Sequence, residues 1–242
     1  MPETPKDVAF EKPESNNIES EIINQPIISS ELVRNVFAEV GDLYESHRVE
    51  ALLVDTVDRY GTTLKPMLDE NRVALDHLSR QLKTGAEVEP DIIDEIQEQL
   101  IRTRRQIVDC KDEIIYARPR QVGLAESIED VVTRASHQVE PGSVEYEELG
   151  LAFRDIHDIN SEILLAIRQN VISSEEVESK LTTALHLLEQ MPRNRTDIET
   201  HGGLVSSALH QLEDSINDNE QHQAKLLTNI SRLKQLIVKF GN

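Results

Sequence analysis

The chain has 242 residues, with 45 Asp and Glu against 25 Lys and Arg, for a formal net charge of −20. Its single Cys excludes an internal disulfide framework and a multi-thiolate zinc site, and the acidic balance argues against nucleic acid and anionic membranes as partners. With 38% apolar residues, 3% aromatics and no Trp, burial must rest on Leu, Ile, Val and Ala in narrow seams.

Residues 1–28 are rich in Pro, Glu, Ser and Asn. The composition predicts a disordered acidic tail, either inert or with Ile22, Ile23, Ile27 and Ile28 as a short docking segment. The first residues lack the apolar core of a secretory signal, and no run of about 18 apolar residues predicts a membrane span. A cytoplasmic, reducing compartment is expected.

Ser29 and Ser30 are good N-caps for a first helix. Val33, Val36, Val40, Leu43, His47, Glu50, Val54 and Val57 follow at steps of three and four, the spacing of a helix seam. Gly61 is expected to end this helix. A second helix enters near Pro66, with Leu64, Leu68, Asn71, Leu75, Leu78 and Leu82 on its seam. Thr84-Gly85 closes it.

Pro90 suits the first turn of a third helix. Ile93, Ile96, Leu100, Thr103, Ile107, Cys110, Ile114 and Ala117 form the cleanest stripe in the chain. Pro119 is expected to stop it, because proline disfavours helical geometry in the residue before it. A shorter helix over about 121–138 follows, with Val122, Ile128, Val131, Val132 and Ala135. Leu149 to Asn170 gives the next stripe. Ser173-Ser174-Glu175-Glu176 contains a capping box and predicts a fresh helix carrying Val177, Leu181, Ala184 and Leu188. Pro192 stops it.

The last segment is interrupted at Gly202-Gly203 and then runs as one helix of roughly 37 residues, about 55 Å. Its seam is Leu209, Leu212, Ile216, Asn219, Gln223, Leu226, Ile230, Leu233, Ile237 and Phe240. No sustained period-two alternation predicts a strand.

The fold class expected is all-α, an elongated antiparallel helical bundle or coiled coil of about six or seven helices. Its expected divisions are residues 1–28, a three-helix module at 29–118, a second module at 119–192 and a long helix at 193–242. The final helix outruns its neighbours, so Leu226, Ile230, Leu233, Ile237 and Phe240 are candidates for contact with a partner helix. The alternative is that they fold back on their own chain. Asn219 and Gln223 form a candidate register-setting polar layer. Arg102, Arg104, Arg105, Arg118 and Arg120 are the one basic cluster, a candidate contact for an acidic partner. Their bland role is pairing with Asp94, Glu95, Glu98 and Asp109 on the same helix.

Catalytic motifs are absent from the sequence. His157 has Arg three residues before it, so the Glu-x-x-His pair of di-iron bundles fails. His186 and Glu189 are a weak metal pair, and Cys110 reads as a small buried hydrophobe. No cofactor, metal or catalytic residue is expected. The reading is a non-enzymatic scaffold or adaptor subunit of an intracellular assembly, binding protein partners, self or non-self, through helix–helix seams. The alternatives are a helical effector, secretion regulator or virion protein delivered by a non-Sec route, and a metal-binding or enzymatic bundle.

Overall fold

The computed structural model describes residues 30–86, 88–192 and 195–241, so the expectation for residues 1–28 lies outside the described residues. Among the described residues the chain is helical with no strand. The helices are α1 Glu31–His47, α2 Val49–Arg59, α3 Lys65–Lys83, α4 Pro90–Ser136, α5 Val144–Glu189 and α6 Arg195–Gly241. A π-helical turn at Tyr60–Leu64 joins α2 to α3.

Local chemistry explains most ends. Ser30 Oγ accepts the Val33 N–H at the start of α1, and Ser143 Oγ accepts the Tyr146 N–H at the start of α5. Pro90 opens α4, where its missing N–H costs nothing. After α3, Gly85 takes φ +67° and donates its N–H to the Leu82 carbonyl.

Several expected breaks are absent, so α4, α5 and α6 run longer than the sequence suggested. Gly61 does not end the first helix. It lies in the π turn, where Lys65 N–H donates to Tyr60 O, five residues back. Pro66 follows and cannot donate to Thr62, so a widened turn there relieves the ring's clash. Pro119 does not stop α4 either. Its ring is exposed on the solvent side, where water can serve the freed carbonyl. Ser173 and Ser174 do not open a helix but are buried inside α5. Gly202-Gly203 lies within α6.

One break was not expected. Arg48 adopts φ +52°, the left-handed region, between α1 and α2. It rephases the seam. The buried row is Val33, Phe37, Val40 and Tyr44 before it, then Val49, Leu53, Thr56, Tyr60 and Leu64 after it. Val36, Leu43, His47, Glu50 and Val54, expected on that seam, are only half-buried.

The neighbours run antiparallel. α4 meets α5 through Arg104–Glu178 and Gln121–Asn160, α5 meets α6 through Ser173–Asn219 and Glu162–Arg232, and α6 closes on the first rod through Ser206–Lys83 and Glu50–Lys234. In each pair one number falls as the other rises. α1 through α3 therefore act as one interrupted rod beside three rods of about 70 Å each at 1.5 Å per residue.

The interior holds two apolar cores. One gathers Phe37, Leu53, Ile114, Leu124, Ile156, Ile163, Leu226 and Phe240; the other gathers Leu68, Leu75, Leu100, Ile107, Leu181, Leu188, Leu209 and Leu212. Both cores draw on residues from each side of position 118. The expected modules 29–118, 119–192 and 193–242 do not coincide with them.

Candidate functional site

The two cores meet at a polar level in mid-bundle. Asn219 Nδ2 donates to Ser173 Oγ at 2.8 Å and to Ser174 Oγ at 3.1 Å. Asn170 Nδ2 donates to the His222 carbonyl at 2.9 Å, tying α5 to α6 a second time. Gln223 is buried one turn beyond Asn219. The side-chain oxygens of Asn170, Asn219 and Gln223 meet no donor among the described residues. Asn219 and Gln223 thus do occupy a buried polar layer, whose other half comes from α5.

The π turn stands at the same level, since Lys65 at its end pairs with Glu220 at 2.8 Å. Tyr60 is buried there beside Cys110, and burial with the nearby Glu220 carboxylate pushes its phenol well above the ordinary range. Burial also raises the Cys110 thiol, against the opposing pull of the Arg59 guanidinium. A thiol held protonated is a poor nucleophile. Arg59 itself pairs with Glu113.

The candidate partner-helix residues lie elsewhere than expected. Leu226, Ile230, Leu233, Ile237 and Phe240 are each at most 4% exposed. They pack within the same core as α1, α4 and α5, and Phe240 meets Phe37 at 5.5 Å between ring centroids. The fold-back alternative describes them. The length mismatch disappears because α1, α2 and α3 together match α6.

The basic cluster is spread around α4 and solvent-exposed. Arg104 Nη2 reaches Glu178 Oε1 of α5 at 3.1 Å, and Lys111 Nζ reaches Glu178 Oε2 at 2.9 Å. Those hydrogen bonds hold the Glu178 carboxyl below its usual range. Arg120 stacks on Tyr116 with its guanidinium carbon 4.8 Å from the ring centroid. Arg102 Nε donates only to the Glu98 carbonyl. Arg105 lines a shallow groove of about 370 Å³ with Ile101, Arg104, Val108 and Asp109. Arg118 has no carboxylate partner among the described residues. The same-helix pairing expected with Asp94, Glu95, Glu98 and Asp109 does not form among them; the carboxylate comes from α5.

Sequence reasoning missed a second set of apolar residues. Ile101, Val108, Ile115 and Val122 recur every seven residues on α4, away from its seam. Ile101 and Ile115 are 43% and 45% exposed. On α5, Val144, Leu151, Leu165 and Ile172 hold another seven-spaced outer row, with Asp158 in its gap, and Leu165 is 49% exposed. Arg104, Lys111 and Arg118, also seven apart, form the edge of α4 nearest α5. Residues seven apart share one face of a helix, so Ile101, Val108, Ile115 and Val122 form one stripe of α4, and Ile101 and Val108 line a groove with Arg104 and Arg105. The seven-residue spacing was the signal available in the sequence.

The histidines are dispersed. His157 is exposed against Phe153, His186 meets Glu189 and Gln190, and His201 Nε2 donates to the Leu187 carbonyl at 2.7 Å. Among the described residues no three His, Cys, Asp or Glu gather as metal ligands, and no helix is long and apolar enough to cross a membrane. No protein-family model and no curated protein matches the chain.

Proposed function

We propose that this protein is a non-catalytic helical scaffold or adaptor of a multiprotein assembly in a reducing, cytoplasmic compartment. Its helices pack as a coiled-coil bundle, and partners dock on the outside of that bundle. The observation that carries the reading is the outer row of α4, Ile101, Val108, Ile115 and Val122, apolar every seventh residue and edged by Arg104, Lys111 and Arg118, on a chain of net charge −20. An exposed apolar row with a basic margin suits an amphipathic helix with acidic flanks.

The C-terminal seam plays no docking part in this reading, because its residues already serve the bundle. Elsewhere on the surface Lys65, Arg232 and Lys234 are paired with the chain's own carboxylates. On the α4 edge Arg104 and Lys111 are held by Glu178, whereas Arg105 and Arg118 have no carboxylate partner among the described residues.

The test is cross-linking mass spectrometry on protein isolated from its native source, with and without Ile101→Asp and Ile115→Asp. The reading expects inter-protein links to Lys111 and its surroundings that the double variant loses. Native protein that carries no inter-protein link on this face overturns it.

A further inference from the structure

The four rods share a buried repeat that turns polar at one level. Ile216 and Ile230 of α6, Val177 and Ile163 of α5, and Leu68 and Leu53 of the first rod are all buried apolar residues. Midway between them, seven residues from each, stand Gln223 of α6 and Asn170 of α5. Tyr60 holds the same place on the first rod, seven residues after Leu53 and eight before Leu68, with the π turn taking the extra residue. Cys110 holds it on α4, between Thr103 and Ala117. Tyr60, Cys110, Asn170 and Gln223 are each at most 5% exposed.

Contacts between the rods set these four at one height. Asn170 Nδ2 donates at 2.9 Å to the carbonyl of His222, the residue before Gln223. Lys65 meets Glu220 at 2.8 Å, which brings the turn of α6 before Gln223 beside the π turn. Arg59 pairs with Glu113, one turn along α4 from Cys110. The phenol of Tyr60, raised by burial, also feels Glu220 and Cys110.

The Tyr60 hydroxyl, Asn170 Oδ1 and Gln223 Oε1 are sealed from solvent and have no partner among the described residues. Buried polar atoms are nearly always bonded, to protein or to water. Here there is one O–H donor against two carbonyl acceptors, and the Cys110 thiol is too weak a donor to make up the difference. The layer is completed by a group that accepts one hydrogen bond and donates two. A cation could sit between the carbonyl oxygens, but all four side chains are neutral, so its charge would be buried without compensation. An anion would face those same oxygens and be repelled. Water fits the count, and three hydrogen bonds is the usual number for a buried water.

We propose that this layer binds one internal water, which accepts from the Tyr60 hydroxyl and donates to Asn170 Oδ1 and Gln223 Oε1. Three rods then share the water, and the two apolar cores are joined through it. It can leave only when the π turn or a neighbouring helix parts. The site does not depend on the scaffold reading, and isolated protein suffices to test it.

Two measurements on the full chain make the test. A crystal structure at atomic resolution is expected to show a single water with these three partners, at about 2.7–3.0 Å. Oxygen-17 relaxation dispersion counts waters held inside the protein for longer than it tumbles. Tyr60→Phe with Gln223→Met keeps the side-chain sizes and removes two of the three bonds. That variant is expected to lower the count by about one, with the helical circular dichroism unchanged. Three results overturn the proposal: Tyr60 bonded directly to Asn170 or Gln223 with no water between them, a metal ion in the water's place, or a folded double variant whose dispersion matches the parent's. The crystal structure of the parent decides by itself if the double variant does not fold.

Discussion

Gly202 of α6 lies against Leu82 at the end of α3 so closely that a β-carbon at position 202 would stand 2.8 Å from Leu82 Cβ and 2.8 Å from Lys83 N. The backbones of the two helices meet at this point, and only hydrogen fits between them. Gly203, its neighbour, has no atom within 4 Å of the same construction. The pair therefore makes a matched test of why a helix tolerates two consecutive glycines. Gly202→Ala is expected to destabilise the protein by about 1–3 kcal/mol, since backbone must move to admit the methyl. Gly203→Ala is expected to stabilise it by about 0.5–1 kcal/mol, the ordinary helix preference for alanine. Urea denaturation of both variants checks the signs; equal effects would sink the close-approach account.

The Asn219 amide holds two serine hydroxyls of α5 at the junction of the cores. Asn219→Ala strands both and leaves a gap, at a cost of about 1–3 kcal/mol. The triple change Asn219→Leu, Ser173→Ala and Ser174→Ala removes every partner at once. It is expected to recover to within about 1 kcal/mol of the parent, because the amide and the two hydroxyls that bonded one another are removed together. A triple variant no more stable than Asn219→Ala would show that the layer contributes by shape rather than by hydrogen bonding.

Arg48 bears the one positive φ among the described non-glycine residues. A β-carbon in the left-handed region costs roughly 1–2 kcal/mol, and glycine escapes that cost while losing more chain entropy. Arg48→Gly is expected to raise stability by about 0.5–1 kcal/mol, and Arg48→Ala to leave it near the parent value. Thermal unfolding of the two variants decides; a destabilised glycine variant would mean that the Arg48 side chain itself holds the joint.

The rows on α3 and α6 show how far spacing carries. Leu68, Asn71, Leu75, Leu78 and Leu82, and every seam position from Leu209 to Phe240, are buried as their steps of three and four require. Asn71 even finds its partner in another seam, donating to Thr103 Oγ1 at 2.6 Å. The first rod was harder to read, because Val36 and Phe37 each begin a regular row. Choosing between them needs the extra residue inserted at Arg48, and arginine carries no local signal for a left-handed turn. Pro119 and Gly202 break local rules, and surroundings overrule those rules: open solvent in one case, a neighbouring backbone in the other. The outer rows on α4 and α5 were visible as heptads but hidden beside stronger seams.

Glu178 joins α5 to α4 by accepting from Lys111 and Arg104, which lowers its pKa below the ordinary carboxylate value of 4.5. A lowered folded-state value means stability that is present above the unfolded-state value and lost as pH falls through the folded one. Glu178→Gln is therefore expected to cost up to about 1 kcal/mol at pH 7, with the gap closing as the pH drops below the carboxylate range. Denaturation curves of parent and variant at pH 7 and pH 3 measure it. A gap that stays constant with pH would place the effect in packing, not in charge.

Phe240 packs at a tilt of 56° on Phe37, so the last turn of α6 is clasped by α1 of the same chain. Gly241 continues the clasp, since a β-carbon there would lie 3.4 Å from the Ala38 nitrogen. Removing a buried ring costs about 3–5 kcal/mol. Phe240→Ala is thus expected to lower the unfolding free energy by that order, with a midpoint that does not change with protein concentration, because both faces of the contact belong to one molecule. A midpoint that falls on dilution, in parent and variant alike, would instead place the residue between chains. Phe37→Ala is expected to match Phe240→Ala, and the double variant to lose less than the sum of the two, the mark of residues that touch.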